Sequence, residues 1–235
     1  MKRIIKISLT LLLVGMAVIA AVPFFKEKRA ERKYENEFKN IQESVTEKKS
    51  DVNGLVKKNK DCIGYVQIPG TTISYPVMQT KDKPDFYLNH DFNRNYSFYG
   101  TSYLSAYCDV NKSDNLIIYG HNINGGKMFG ALEQYKDKKF FNKHRKIYFT
   151  TDKKREYEVF AVMSVNIHEF EYWKFVMARD AKEYDEFVDK MEEHSLWRRE
   201  NKPKYGEQML MLSTCDNGKG DDWRIVVIGK EIFLK

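Results

Sequence analysis

Three side chains in this sequence have the types and settings for nucleophilic chemistry: Cys215, Arg224 and His121. Cys215 closes the run MLMLSTC and Arg224 opens RIVVIGKEI, and Asp216 to Asp222 between them are all turn formers or charged. This pattern predicts a β-hairpin that sets the end of its first strand beside the start of its second, making Cys215 and Arg224 neighbours. A guanidinium there lowers a thiol pKa and stabilises negative charge that develops nearby. His121 follows the apolar run NLIIY and Gly120, ahead of a Gly-containing loop. That is where a strand end delivers a side chain to a cleft. A nucleophilic thiol needs a proton-handling partner, and a strand-end His together with a strand-end Cys and a strand-start Arg fits that need.

The bland readings of the same residue types are weighed beside this one. A Cys flanked by apolar strand is more often packing than chemistry. Cys62 in CIGYVQI and Cys108 in YLSAYCDV, with no His or Arg close in sequence, are read that way. Three widely spaced Cys without a C-x-x-C pair form neither a disulfide framework nor a zinc site, so no metal or cofactor is expected. His144 in NKHRK and His194 at a helix end read as surface residues, and His90 and His168 as loop residues. Asp216, directly after Cys215, reads chiefly as a turn opener, with a third catalytic member as the alternative.

The elements that would hold these residues are mostly strands. The chain has 235 residues, 42% hydrophobic and 14% aromatic, ample for a core. From Cys62 onward short apolar runs alternate with turns: CIGYVQIPGTTISYPVM, NLIIYGHN, KIYFTT, REYEVFAVMSVNI and the closing pair. Pro69-Gly70 marks a turn, and the spacing predicts an all-β barrel or sandwich. One helix interrupts it: Asp180 and Glu183 form a capping box, and Tyr184, Phe187, Val188 and Met191 fall on one face. The net charge of +7 fits an anionic envelope or nucleic acid, but zinc-finger spacing and stacking-aromatic motifs are missing, and no nucleic-acid partner is expected.

The N-terminus reads as a separate segment. Ile7 to Phe25 carries no charge, and 19 residues (25 − 7 + 1) span roughly 28 Å as a helix. A retained single-pass membrane anchor over residues 1–25 is expected, with a cleaved signal peptide as the alternative. Lys and Arg number three before the span and five soon after it, so the positive-inside rule opposes an extracellular domain. Residues 26–60 read as a helical stalk in which Tyr34, Phe38, Ile41 and Val45 form a narrow stripe, ended by Asn53-Gly54.

LSTC at 212–215, Arg224 on the next strand and YGH at 119–121, taken in order, resemble the sortase signature. IIYGHNINGGKMFGAL and the helix ahead of the Cys strand resemble class B sortases more narrowly, and the likeness covers about residues 61–235. Position 211 departs from it, with Met where many sortases carry Thr. The resemblance implies a closed eight-stranded sortase-type β-barrel, mostly β with helices, tethered to the cell membrane outside a Gram-positive cell. It implies a cysteine transpeptidase that cleaves an LPxTG- or NPxTN-like sorting signal of surface proteins after Thr and joins them to a peptidoglycan amine. Cys215 would be the nucleophile, His121 the proton carrier and Arg224 the holder of the substrate carbonyl, with Ser213, Thr214 and Tyr119 as substrate contacts. A cysteine hydrolase on the same scaffold and a non-catalytic envelope-binding β domain are the alternatives.

Overall fold

The apolar runs become the strands of a closed barrel in the computed structural model, which describes residues 2–47 and 52–232. β1 (Cys62–Gln67) and β2 (Ser74–Met78) pair antiparallel across the Pro69-Gly70 turn. β3 (Tyr103–Leu104), β4 (Asn115–Tyr119) and the small hairpin of β5 (Asn122–Ile123) and β6 (Lys127–Met128) follow. Then come β7 (Lys146–Thr150), β8 (Lys154–Asn166), β9 (Ser195–Arg198), β10 (Met209–Cys215) and β11 (Trp223–Ile232). The main sheet runs β11-β10-β4-β3-β2-β1-β7-β8, and β11 pairs back onto β8 from Trp223 opposite Asn166 to Ile232 opposite Glu156. Eight strands therefore form a closed ring, and β9 is a ninth strand laid on Ala161 to Met163 of β8.

Most neighbours are antiparallel, but β2–β3 and β4–β10 are parallel. The parallel strand β4 has Leu116, Ile117 and Ile118 all fully buried. Covered on both faces, it reads as a continuous apolar run and not as an alternation. Each such side chain taken out of water stabilises the fold by about 1.5 to 3 kcal/mol. Two short helices and a longer one pack among these strands: α2 (Val52–Lys58), α3 (Lys138–Lys143) and α4 (Ala181–Glu193), numbered after the N-terminal α1 (Lys2–Glu47). The Asp180 side chain caps α4 by accepting from Glu183 N at 2.9 Å, while the Glu183 carboxylate reaches back to Arg179 N, one residue beyond a capping box. Tyr184, Phe187, Val188 and Met191 are its buried face, as their spacing predicts.

The N-terminal part differs from the sequence reading. Met1–Asn40 and Ile41–Lys235 form two compact units. α1 continues from the apolar stretch into the charged one without a break, and the stripe residues Tyr34 and Phe38 bring their rings to 4.7 Å. Val45 of that stripe lies outside the residues with described side chains. Asn53-Gly54, read as a helix stop, sits inside α2. The expected membrane-spanning anchor with an extracellular domain is corrected: among the described residues no helix is long and apolar enough to cross a membrane.

Candidate active site

Two registers bring the chemistry together. In the β10–β11 hairpin Cys215 stands directly opposite Arg224, as the turn pattern predicts. In the parallel β4–β10 pair Ser213 stands opposite Tyr119, so His121, two residues past Tyr119, runs out alongside Cys215, two residues past Ser213. Gly120 N donates to Ser213 O at 3.2 Å and extends the ladder one step further. Three adjacent strand ends thus present His, Cys and Arg side by side, with neighbouring strands about 4.8 Å apart. All three line one cavity of about 520 Å³, together with Tyr119, Ser213 and Thr214.

The imidazole is oriented by backbone. His121 Nε2 lies 2.8 Å from Leu88 O, and because a carbonyl only accepts, the neutral ring carries its proton on Nε2 and leaves Nδ1 as the acceptor. The chain returns past that carbonyl at Gly100, whose φ is 59° and where a Cβ would sit 2.4 Å from Leu88 O. At Gly120 a Cβ would lie 2.7 Å from the Phe129 ring, so glycine lets the strand end turn into the cavity. The guanidinium is oriented in the same way: Arg224 Nη1 donates to Asp221 O at 2.5 Å and Trp223 O at 2.9 Å.

Beneath the thiol lies a network that the sequence reading missed. Asn122 Nδ2 donates to Cys215 O at 2.7 Å and to Glu133 Oε1 at 2.8 Å, tying the residue after His121 to the carbonyl of Cys215. Glu133 pairs with Lys136, and Lys136 Nζ donates to Asp216 Oδ1 at 2.6 Å. Ser164 Oγ donates to Asp216 Oδ2 at 2.6 Å. Asp216 opens the turn as read, its carbonyl accepting from Lys219 N at 3.0 Å and its Oδ1 from Gly218 N at 3.3 Å, but it is also fully buried and does not line the cavity. Burial opposes its ionisation, but the hydrogen bonds from Lys136 and Ser164 outweigh it and hold the carboxyl below its ordinary pKa.

A stability prediction follows from that sign. A carboxyl with a depressed folded pKa contributes stability that is complete above its unfolded value near 3.9 and is lost as pH falls through the folded value. Lys136→Met leaves the buried carboxylate without its cation and is expected to cost roughly 1 to 3 kcal/mol at pH 7, a figure reduced because Lys136 is one-third exposed. Urea midpoints at pH 7 and at about pH 2 check it: the gap between variant and wild type narrows as pH falls below about 4, and an equal gap at both ends refutes the ion-pair account.

The remaining candidates fall as follows. Cys62 and Cys108 are buried, and each donates to a carbonyl, Gly64 O at 3.6 Å and Asn115 O at 3.4 Å. Burial pushes their thiols up to about 12 and about 11. Cys215 is half-buried at the cavity. The Ser213 hydroxyl is engaged by Tyr172 Oη at 2.7 Å, and Thr214 Oγ1 is buried without a partner among the described residues. His144 is not a surface residue: it is buried, lies against the Phe140 ring at 4.1 Å and has Nδ1 3.0 Å from Pro69 O. His194 is half-buried against Phe170, His90 stacks on Phe86 at 3.8 Å, and His168 is exposed beside Asp222. Among the described residues no group of His, Cys, Asp and Glu is arranged to hold a metal ion.

A closed barrel with this Cys-centred cavity has known counterparts. A sortase domain model matches residues 66–232. The chain belongs to the sortase family, and it is a cysteine transpeptidase. Its relatives narrow the class: sortase B of Listeria monocytogenes is 31% identical over 188 residues, covering 78% of this chain and 75% of that protein. The Staphylococcus aureus sortase B–substrate complex superposes with a TM-score of 0.74 at 28% identity, covering 89% of this chain and 98% of that one. A sortase B complexed with triglycine gives 0.76 at 27% identity, covering 89% and 100%. Within the family this chain is of class B.

Proposed function

We propose that residues 61–235 form a catalytic unit that cleaves an LPxTG- or NPxTN-like sorting signal after its Thr and joins the new acyl group to a peptidoglycan amine. The observation that carries this reading is the side-by-side placement of His121, Cys215 and Arg224 on three neighbouring strand ends at one cavity. Cys215 passes its thiol proton to Nδ1 of His121 and attacks the Thr carbonyl; the scissile C–N bond breaks as the thioester forms, and the leaving amine takes that proton from the imidazolium. Arg224 donates to the carbonyl oxygen as it gains negative charge. Tyr119, Ser213 and Thr214 shape the wall against which the peptide lies. The substrate and triglycine complexes of related sortase B proteins support a peptide donor and a glycine-type acceptor.

The test incubates the full chain with LPxTG- and NPxTN-type peptides, with and without triglycine. Cleavage with joined product in the presence of triglycine is expected. Cleavage without any joined product makes the protein a hydrolase on this scaffold, and no cleavage of either peptide overturns the substrate assignment.

A further inference from the structure

The cavity that holds Cys215 also contains Asp85, the one carboxylate among its lining residues. Asp85 sits at φ 62° and ψ 9°, a left-handed conformation uncommon for a residue with a side chain. It precedes a 3₁₀ turn at Phe86 to Leu88, and its carbonyl accepts from Leu88 N at 2.9 Å, but its side chain makes no capping hydrogen bond. Instead its Oδ1 accepts from Tyr103 Oη at 2.9 Å. Tyr103 is buried, with its ring 5.5 Å from that of Tyr119. Burial first, then the Asp85 charge, push the Tyr103 phenol upward, so it stays a donor. Asp85 is exposed, and among the described residues its carboxylate makes no ion pair and no second hydrogen bond. The carboxylate is thus held by a buried phenol at the exposed rim of the cavity, which the Arg224 guanidinium lines as well.

A carboxylate without a cation suits a cationic reactant. We propose that Asp85 is the docking group for the ammonium form of the acceptor amine, an inference that rests on the transpeptidase reading above. Water competes with the amine for the thioester at far higher concentration, and a fixed charge raises the local concentration of the cation relative to water. The docked ammonium releases one proton to solvent. The free amine nitrogen then forms the new C–N bond as the C–S bond breaks, and its second proton passes through His121 to the Cys215 sulfur. The Asp85 charge also raises the ammonium's pKa, so its benefit falls on KM for the amine and not on kcat.

Asp85→Asn tests this with little risk to the backbone, because Asn tolerates the left-handed region and keeps an oxygen for Tyr103. In the full-length protein, thioester formation, read first as leaving-group release without amine, is expected within twofold of wild type. KM for triglycine is expected to rise about tenfold, and the ratio of hydrolysis to transfer to rise with it. Transfer to hydroxylamine, which is uncharged at neutral pH, should not change. An unchanged KM for triglycine overturns the proposal, as does an equal loss with hydroxylamine. Slower thioester formation in the variant would assign Asp85 to the peptide instead. A wild type that forms no thioester fails the transpeptidase reading itself and is seen before any amine is added.

Discussion

Cys215→Ala is expected to abolish thioester formation and lower kcat on the order of 10⁵-fold or more, the scale on which removal of a covalent nucleophile acts. Cys62→Ala and Cys108→Ala are expected to turn over within about twofold of wild type. The three thiols differ in surroundings and not in chemistry. Cys62 and Cys108 are buried, donate to backbone carbonyls and have thiols raised to about 12 and about 11, so they carry almost no thiolate at neutral pH. Cys215 stands opposite a guanidinium and borders open cavity. Truncating Cys62 or Cys108 leaves a small void and costs about 1 kcal/mol of stability. Mass spectrometry after a thiol-reactive label, with circular dichroism on each variant, checks the contrast. Loss of turnover in a folded Cys62 or Cys108 variant would remove Cys215 from its role.

The second large effect belongs to Arg224. Its Nη1 is held by Asp221 O and Trp223 O, so the plane of the fork is fixed by the turn while Nε and Nη2 have no partner among the described residues. A planar fork can be clamped at one nitrogen and still donate from the others, which a single ammonium on a flexible stem cannot do. Arg224→Lys is therefore expected to lose on the order of 10²- to 10³-fold in kcat/KM, about 3 to 4 kcal/mol, with Tm little changed. An exposed charge at a strand start would cost at most about 1 kcal/mol. A Lys variant within about threefold of wild type, roughly 0.7 kcal/mol, reduces the pairing with Cys215 to hairpin geometry.

The hairpin is legible in the sequence because its information is local: two apolar runs, a run of turn formers, and a register that follows from them. The parallel pairing of β4 with β10 is not, since it joins segments more than 90 residues apart and leaves no mark in either. β3 has two residues and no period to read, and β9 follows α4 so closely that Leu196 and Trp197 look like its continuation. His144 misleads through its neighbours: Lys143 and Arg145 reach solvent while the imidazole between them folds under onto Phe140. Asp216 looks like any turn opener, because the cation that holds it, Lys136, lies 80 residues away. The network of Asn122, Glu133 and Lys136 has polar residues of ordinary type and no motif, so geometry alone exposes it.

The ring closes through the last two strands of the chain. β10 and β11 begin at Met209 and Trp223, and until they emerge during synthesis the barrel lacks two of its eight staves. β4 and β8 then present unpaired backbone edges, the kind of template on which chains aggregate. The same two strands carry Cys215 and Arg224, so the nascent polypeptide has no thiol at the strand end and no guanidinium beside it while those edges are open. The acyl-transfer role proposed for Cys215 and Arg224 and the disappearance of the sticky edges thus depend on the same two strands, and a chain truncated before Met209 lacks both.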